Sequence, residues 1–159
     1  MVALGNFQQP GQDFFETFAS TLRSSTIRIV LALAAIQDME LCSIDISYAF
    51  TNSDIDVEIY MHQPQGFRQG GKVVCKLNKS LYGLKQSPQL WGEMLAKALS
   101  SLGFVKTYSD ASLFVYDQDS IKVFVPMFVD DITLTSKSKE KLDELVVELG
   151  EHLKLRDPW

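Results

Sequence analysis

The sequence predicts an α+β fold with a mostly antiparallel sheet. Strand-like segments come in runs rather than alternating strictly with helices. Two apolar runs, residues 111–116 and 121–129, are parted only by Asp117-Gln118-Asp119-Ser120, a hairpin signal. Helical stripes of 3.6-residue period stand before and after that hairpin, so helices have an apolar face to lay on a sheet.

The elements follow in order along the chain. Residues 1–20 are rich in Gly, Gln and Phe without a clean period, and Pro10-Gly11 marks a turn. Ser25 or Thr26 is placed to cap a helix over about 26–39, with Ile27, Val30, Leu31, Ala34 and Ile36 as its apolar face. From Leu41 the period changes to two: Cys42, Ile44 and Ile46 alternate with Ser43, Asp45 and Ser47. Residues 57–61 read as a second strand, 63–71 as a Pro- and Gly-rich loop, and 73–77 as a third strand. Ser87-Pro88 opens the best-marked helix, since Pro at the first helical position loses no needed N–H. Its stripe is Leu90, Trp91, Met94, Leu95, Ala98, Leu99 and Leu102, and Gly103 sits where a helix end takes a left-handed residue. After the hairpin, residues 132–135 continue as a strand. Ser138 caps a last helix striped by Leu142, Leu145, Val146, Leu149 and Leu153. There is no internal repeat.

Composition bounds the function. A length of 159 residues suits one domain with a real core. Hydrophobic residues at 46% and charged residues at 22% fit a folded protein. Cys42 and Cys75 are the only cysteines and no Cys/His cluster exists, which argues against a zinc site and fits a reducing compartment. With no signal-like N-terminus and no apolar run long enough to span a bilayer, the expectation is an intracellular protein of cytoplasm or nucleus, not secreted and not in a membrane. A net charge of −5 by itself points away from nucleic acid. The distribution reverses that. Residues 38–58 carry six acids and no Lys or Arg, and residues 107–131 carry five Asp against Lys122. Residues 68–106 carry seven basic residues against Glu93.

Two acidic features point to chemistry. Asp130-Asp131 interrupts apolar strand-like runs where a plain tight turn would prefer Asn-Gly or Asp-Gly. Asp45 lies in a strand pattern between Ile44 and Ile46, where a charge is costly unless paired or metal-bound. Carboxylates gathered on neighbouring strands repel, and a divalent cation such as Mg²⁺ relieves the repulsion through oxygen ligands. A solvated hairpin turn is the plain alternative for the Asp-Asp pair.

The motifs then line up. Gly11-Gln12-Asp13-Phe14-Phe15-Glu16-Thr17-Phe18-Ala19, Ser25-Thr26-Ile27-Arg28 and Asp45-Ile46-Ser47-Tyr48-Ala49-Phe50 come first. Glu58-Ile59-Tyr60-Met61-His62-Gln63-Pro64-Gln65-Gly66-Phe67 follows. Next is the stretch from Cys75-Lys76-Leu77 through Leu81-Tyr82-Gly83-Leu84-Lys85-Gln86-Ser87-Pro88 to Trp91, and last Phe128-Val129-Asp130-Asp131. In this order and nearly end to end, the chain resembles the reverse transcriptase of copia-type long-terminal-repeat retrotransposons.

The resemblance implies RNA-directed DNA polymerase activity: nucleotidyl transfer to a primer 3′-OH using two Mg²⁺ ions, with Mn²⁺ able to substitute. Asp45, Asp130 and Asp131 would be catalytic and metal-binding, Asp131 in an assisting role and the Ile46 carbonyl contributing. Phe50 would be the steric gate against a ribose 2′-OH. Tyr82, Gly83, Lys85 and Gln86 would meet template and incoming nucleotide, and Phe128 the primer end. The implied fold is a right-hand polymerase palm, a four-stranded ferredoxin-like sheet backed by helices. One reverse transcriptase domain fragment would fill 1–159, with partial fingers at about 1–20 and 53–86 and palm at about 21–52 and 87–159. The implied partners are an RNA or DNA template with primer and deoxynucleoside triphosphates. The family's basic upstream stretch, thumb and RNase H portion are expected to lie outside this chain. Pro158-Trp159 departs from the family's Leu-Gly, and Pro126 sits in the strand before the acidic pair, where a bulge or an edge is expected. The alternative is a catalytically inactive remnant, or a nucleic-acid or protein binding module that kept the palm fold.

Overall fold

The computed structural model describes residues 2–156, so the departure at Pro158-Trp159 lies outside the described residues. The chain falls into two compact units. One is made of the chain up to Ala19 together with Phe50–Glu93; the other is made of Ser20–Ala49 together with the chain from Met94 onward. Helices are α1 (Ser24–Gln37), α2 (Ala49–Asn52), α3 (Ser87–Ser101) and α4 (Lys139–His152). Strands are β1 (Glu40–Asp45), β2 (Tyr60–His62), β3 (Val74–Lys76), β4 (Val105–Lys106), β5 (Leu113–Gln118), β6 (Ile121–Phe128) and β7 (Asp131–Ser136).

The second unit holds a five-stranded sheet in the order β1-β7-β6-β5-β4, every neighbouring pair antiparallel. This is the α+β architecture with an antiparallel sheet that the strand runs imply. The alternation in β1 sends Ile44 into the core, where it meets the level of Ile132 across the ladder. Val123 and Val125 of β6 and Ile132 and Leu134 of β7 are fully buried. Helix α4 lies on β7 and β1, burying Leu142, Leu145 and Leu149, and α1 lies against β6 with Val30 and Ala34 buried. Each such Leu contributes about 1.5–3 kcal/mol by leaving water. Helix α4 is capped as its sequence says: Ser138 Oγ accepts from the Lys141 N–H at 3.2 Å.

The structure departs from the sequence reading in several places. The sheet has five strands where the resemblance implied four, because β5 and the two-residue β4 extend it beyond β6. Pro126 sits neither at an edge nor at a shifted register. It lies in the interior strand β6, and the ladder to β7 is simply broken opposite Thr133 and Leu134, where proline has no N–H to give. Neither Ser25 nor Thr26 caps α1; the cap position is Arg23, without a side-chain cap of its own. The acceptor comes from far along the chain: Asp110 Oδ2 takes the Arg23 N–H at 3.0 Å and the Thr26 hydroxyl at 2.6 Å. A carboxylate there also faces the positive end of the helix dipole. Finally, Leu153 falls just beyond α4 yet stays buried.

Gly103 behaves as expected. Its φ is +86°, the Phe104 N–H reaches back to Leu99 O at 3.0 Å to close α3, and a Cβ would press on Gln118 and the Tyr116 ring.

The first unit pairs β2 with β3 and buries Ala3, Ile59, Leu77 and Leu84, with Ile55, Val57, Met61 and Leu81 packed around them. Both cysteines are free thiols. Burial, and then the Asp143 charge, push the Cys42 thiol up from its ordinary value.

Candidate active site

The hairpin joining β6 to β7 places the acidic pair. Phe128 and Asp131 face each other as the last ladder pair, so the loop is Val129-Asp130, one residue earlier than the Asp130-Asp131 interruption seen in the sequence. A two-residue hairpin loop wants positive φ at its first position. Val129 supplies it at +48°, a conformation that costs a β-branched residue energy.

Asp131 also faces Asp45 across the β1–β7 ladder. Directly opposed residues of an antiparallel pair project from the same face. Phe128, Asp131 and Asp45 therefore form one row, while Ile132 and Ile44, one step along, are buried on the other face. Asp130 is tied to the end of β1 by its carbonyl, which accepts the Ile46 N–H at 3.0 Å. Asp45, Ile46, Ser47, Tyr48, Asp130 and Arg156 line one open cavity of about 290 Å³. Asp45 and Asp130 are half-buried and Asp131 is exposed.

Two of the three predicted carboxylates thus share a cavity, and the third stands beside Asp45 on the sheet face. Among the described residues no group of three acids, His or Cys converges into a ready-made metal cage. The cavity's acidic side chains offer only oxygen donors, two carboxylates, which suits a hard cation that completes its shell from water and substrate phosphates. Two opposed carboxylates on one ladder rung, Asp45 and Asp131, are unfavourable without a cation nearby.

One residue that sequence reasoning left out enters this site. The segment after α4 runs beside the end of β1, antiparallel to it, with Ile46 bridged to Leu155. The Ser47 N–H donates to Lys154 O and the Arg156 N–H to Asp45 O, both at 2.9 Å. Arg156 Nη1 then lies 3.2 Å from Asp45 Oδ2. No local pattern announces this, since 110 intervening residues separate the partners.

The other predicted residues belong to the first unit. The Phe50 and Tyr82 rings stand 4.3 Å apart between centroids, and Phe50 is buried. Gly83 has φ +96° and packs so closely that a Cβ would collide with Ala3 O. Lys85 is exposed, with its N–H held by Gln8 Oε1 at 2.8 Å. Gln86 is fully buried; its Oε1 accepts from Gln8 Nε2 at 3.0 Å and its Nε2 donates to Asp13 O at 2.9 Å.

A family model described as reverse transcriptase (RNA-dependent DNA polymerase) matches residues 1–158. The chain belongs to this family. It is 37% identical, over 99% of its length, to the Retrovirus-related Pol polyprotein from transposon RE1 of Arabidopsis thaliana. It is also 37% identical, again over 99% of its length, to the Retrovirus-related Pol polyprotein from transposon TNT 1-94 of Nicotiana tabacum. The Transposon Ty1-BL Gag-Pol polyprotein of Saccharomyces cerevisiae is 30% identical over 94% of this chain. The reverse transcriptase chain spans only 11%, 12% and 9% of these relatives, which are much longer polyproteins. The copia-type likeness read from the motifs is thus matched by its relatives. Among its described residues no helix is long and apolar enough to cross a membrane.

Proposed function

We propose that the chain is the palm and partial fingers of a retrotransposon reverse transcriptase, and that Asp45 and Asp130 hold the divalent cations of template-directed nucleotidyl transfer. The single observation that carries this is the meeting of Asp45 and Asp130 in one cavity although 84 residues lie between them. The strand order supports the palm: the segment at Leu155, then β1, β7 and β6, are all antiparallel neighbours. With α3 and α4 as the connecting helices, that is the order of a ferredoxin-like sheet. The unit formed by the chain up to Ala19 and Phe50–Glu93 is read as the partial fingers.

Mg²⁺ or Mn²⁺, when bound, supplies the charge that stabilises the attacking 3′-oxygen and the triphosphate during in-line displacement. The residues of the chain do the rest. The Val129-Asp130 loop is tied to the end of β1 through the Asp130 carbonyl, which keeps Asp130 beside Asp45. Asp131 adds negative potential on the same face as Asp45, which favours a cation there. Phe128, exposed in that row, offers an apolar surface to the last primer base. In the other unit, Phe50, braced by Tyr82, is suited to reject a 2′-hydroxyl, and exposed Lys85 to meet phosphate. The amide of Gln86 is already spent on Gln8 and Asp13, so its contribution is to shape the loop before α3.

The test is primer extension on an RNA template with Mg²⁺, run beside Asp130→Asn. Extension by the wild type that the variant lacks is expected. No extension by either protein at high concentration overturns independent polymerase activity.

A further inference from the structure

We propose that Arg156 is a built-in counter-cation of the acidic site: its guanidinium holds Asp45 and must leave it before a metal ion can be held there. The inference rests on the reading of Asp45 and Asp130 as metal ligands. It concerns a side chain that this reading does not use.

Asp45 faces Asp131 on one ladder rung, and that like-charge pair is unfavourable by itself. Arg156 is the cation the fold brings to it. Its backbone is fixed, because the Arg156 N–H is bonded to Asp45 O, the Lys154 carbonyl takes the Ser47 N–H, and Leu153 is anchored in the core. Its side chain is not fixed. A single Nη1–Oδ2 contact of 3.2 Å holds it, and two thirds of the side chain is exposed. The backbone therefore delivers a positive charge to the cavity wall on every molecule, while the ion pair itself is weak enough to exchange. A monodentate, solvated pair has the character of a displaceable plug. A lock would be bidentate and buried. A divalent ion that draws on both Asp45 and Asp130 gains more than the guanidinium loses, so competition is decided by metal concentration.

Mn²⁺ is the probe, with the free ion followed by its paramagnetic resonance signal as the 159-residue chain is titrated. Wild type, Arg156→Gln, Arg156→Lys and Asp130→Asn are compared at low ionic strength, each checked for an unchanged melting transition. Arg156→Gln is expected to bind Mn²⁺ about two- to fivefold more tightly, the range an exposed ion pair is worth. Arg156→Lys keeps the charge and should bind as the wild type does. A purely structural role for Arg156 would not produce tighter binding in one variant and wild-type binding in the other. Equal or weaker binding by Arg156→Gln, with Asp130→Asn still weakened, overturns the counter-cation alone. If no protein binds Mn²⁺, or if Asp130→Asn binds like the wild type, the metal reading of the site falls and the counter-cation falls with it.

Discussion

Strand β6 ends in a two-residue hairpin loop on both sides, and the two loops are built from opposite choices. At its start, Asp119-Ser120 joins β5 to β6 with φ of +52° and +63°. Both residues tolerate or partly offset a left-handed backbone, and both are exposed. At its end, Val129-Asp130 joins β6 to β7, with a β-branched residue at φ +48° where glycine would sit without strain. The first loop is what a sheet needs to turn round. The second is a worse turn that puts Asp130 at the cavity shared with Asp45. The second loop thus carries the greater strain, because a β-branched residue tolerates a left-handed backbone less well than Asp or Ser does.

That contrast can be broken most sharply by charge. Asp130→Asn should lower primer extension by about 100-fold or more, the several kcal/mol that metal charge stabilisation supplies. Asp119→Asn, the matching change in the other loop, should leave extension at the wild-type rate in the same assay. Stability offers the next test. Val129→Gly removes the left-handed strain, which costs an ordinary residue about 1–2 kcal/mol, and gives part of it back through added freedom in the unfolded chain. Denaturant unfolding should show a net gain of about 0.5–1 kcal/mol, while extension falls because Asp130 is held less firmly. A loss of stability would mean that Val129 packs usefully and that the loop is not strained. Ser120→Gly in the opposite hairpin should stabilise by about 0.5 kcal/mol, with activity unchanged.

A carboxylate with a purely structural task supplies the last comparison. Burial pushes Asp110 up, but hydrogen bonds from Thr26, Ser112 and Arg23, with the Arg23 charge, outweigh it and hold the carboxyl below its ordinary value. A lowered carboxylate pKa contributes stability that is fully present above the unfolded value of 3.8 and is lost as pH falls through the folded one. Thermal unfolding followed from pH 6 downward should therefore show a steeper acid decline for the wild type than for Asp110→Asn. At neutral pH the variant should be less stable by about 1 kcal/mol, as for other lost helix caps. Parallel acid limbs would remove Asp110 from this role.

Much of the sheet could be read from residue order because its signals are local. Period-two alternation around Ile44, the apolar runs of β5 and β6, and the Ser138 cap each depend on a few neighbouring residues. The family motifs were legible for the same reason: each is a short string. The missing parts are non-local. β4 owes its existence to pairing with β5, not to its own two residues. The cap of α1 comes from Asp110, and no rule about Ser25 or Thr26 could have found it. The loop boundary at Val129-Asp130 depends on which residues form the last rung, a matter of register between two strands.

By itself, then, the sequence determined the α+β class, the strand and helix periods, the acidic words around Asp45 and Asp130, and the family. These follow from local propensity and from motif strings, which need no coordinates. Only the tertiary structure decided that Asp45 and Asp130 share a cavity, that Asp131 stands opposite Asp45 on one face, that Val129 bears the strain, and that Arg156 reaches the same carboxylate. Each of those facts is a strand register or a chain return, set by how the core of Ile44, Ile132, Leu134 and the α4 leucines closes. Charge separation along a chain says nothing about charge separation in space until that core has formed.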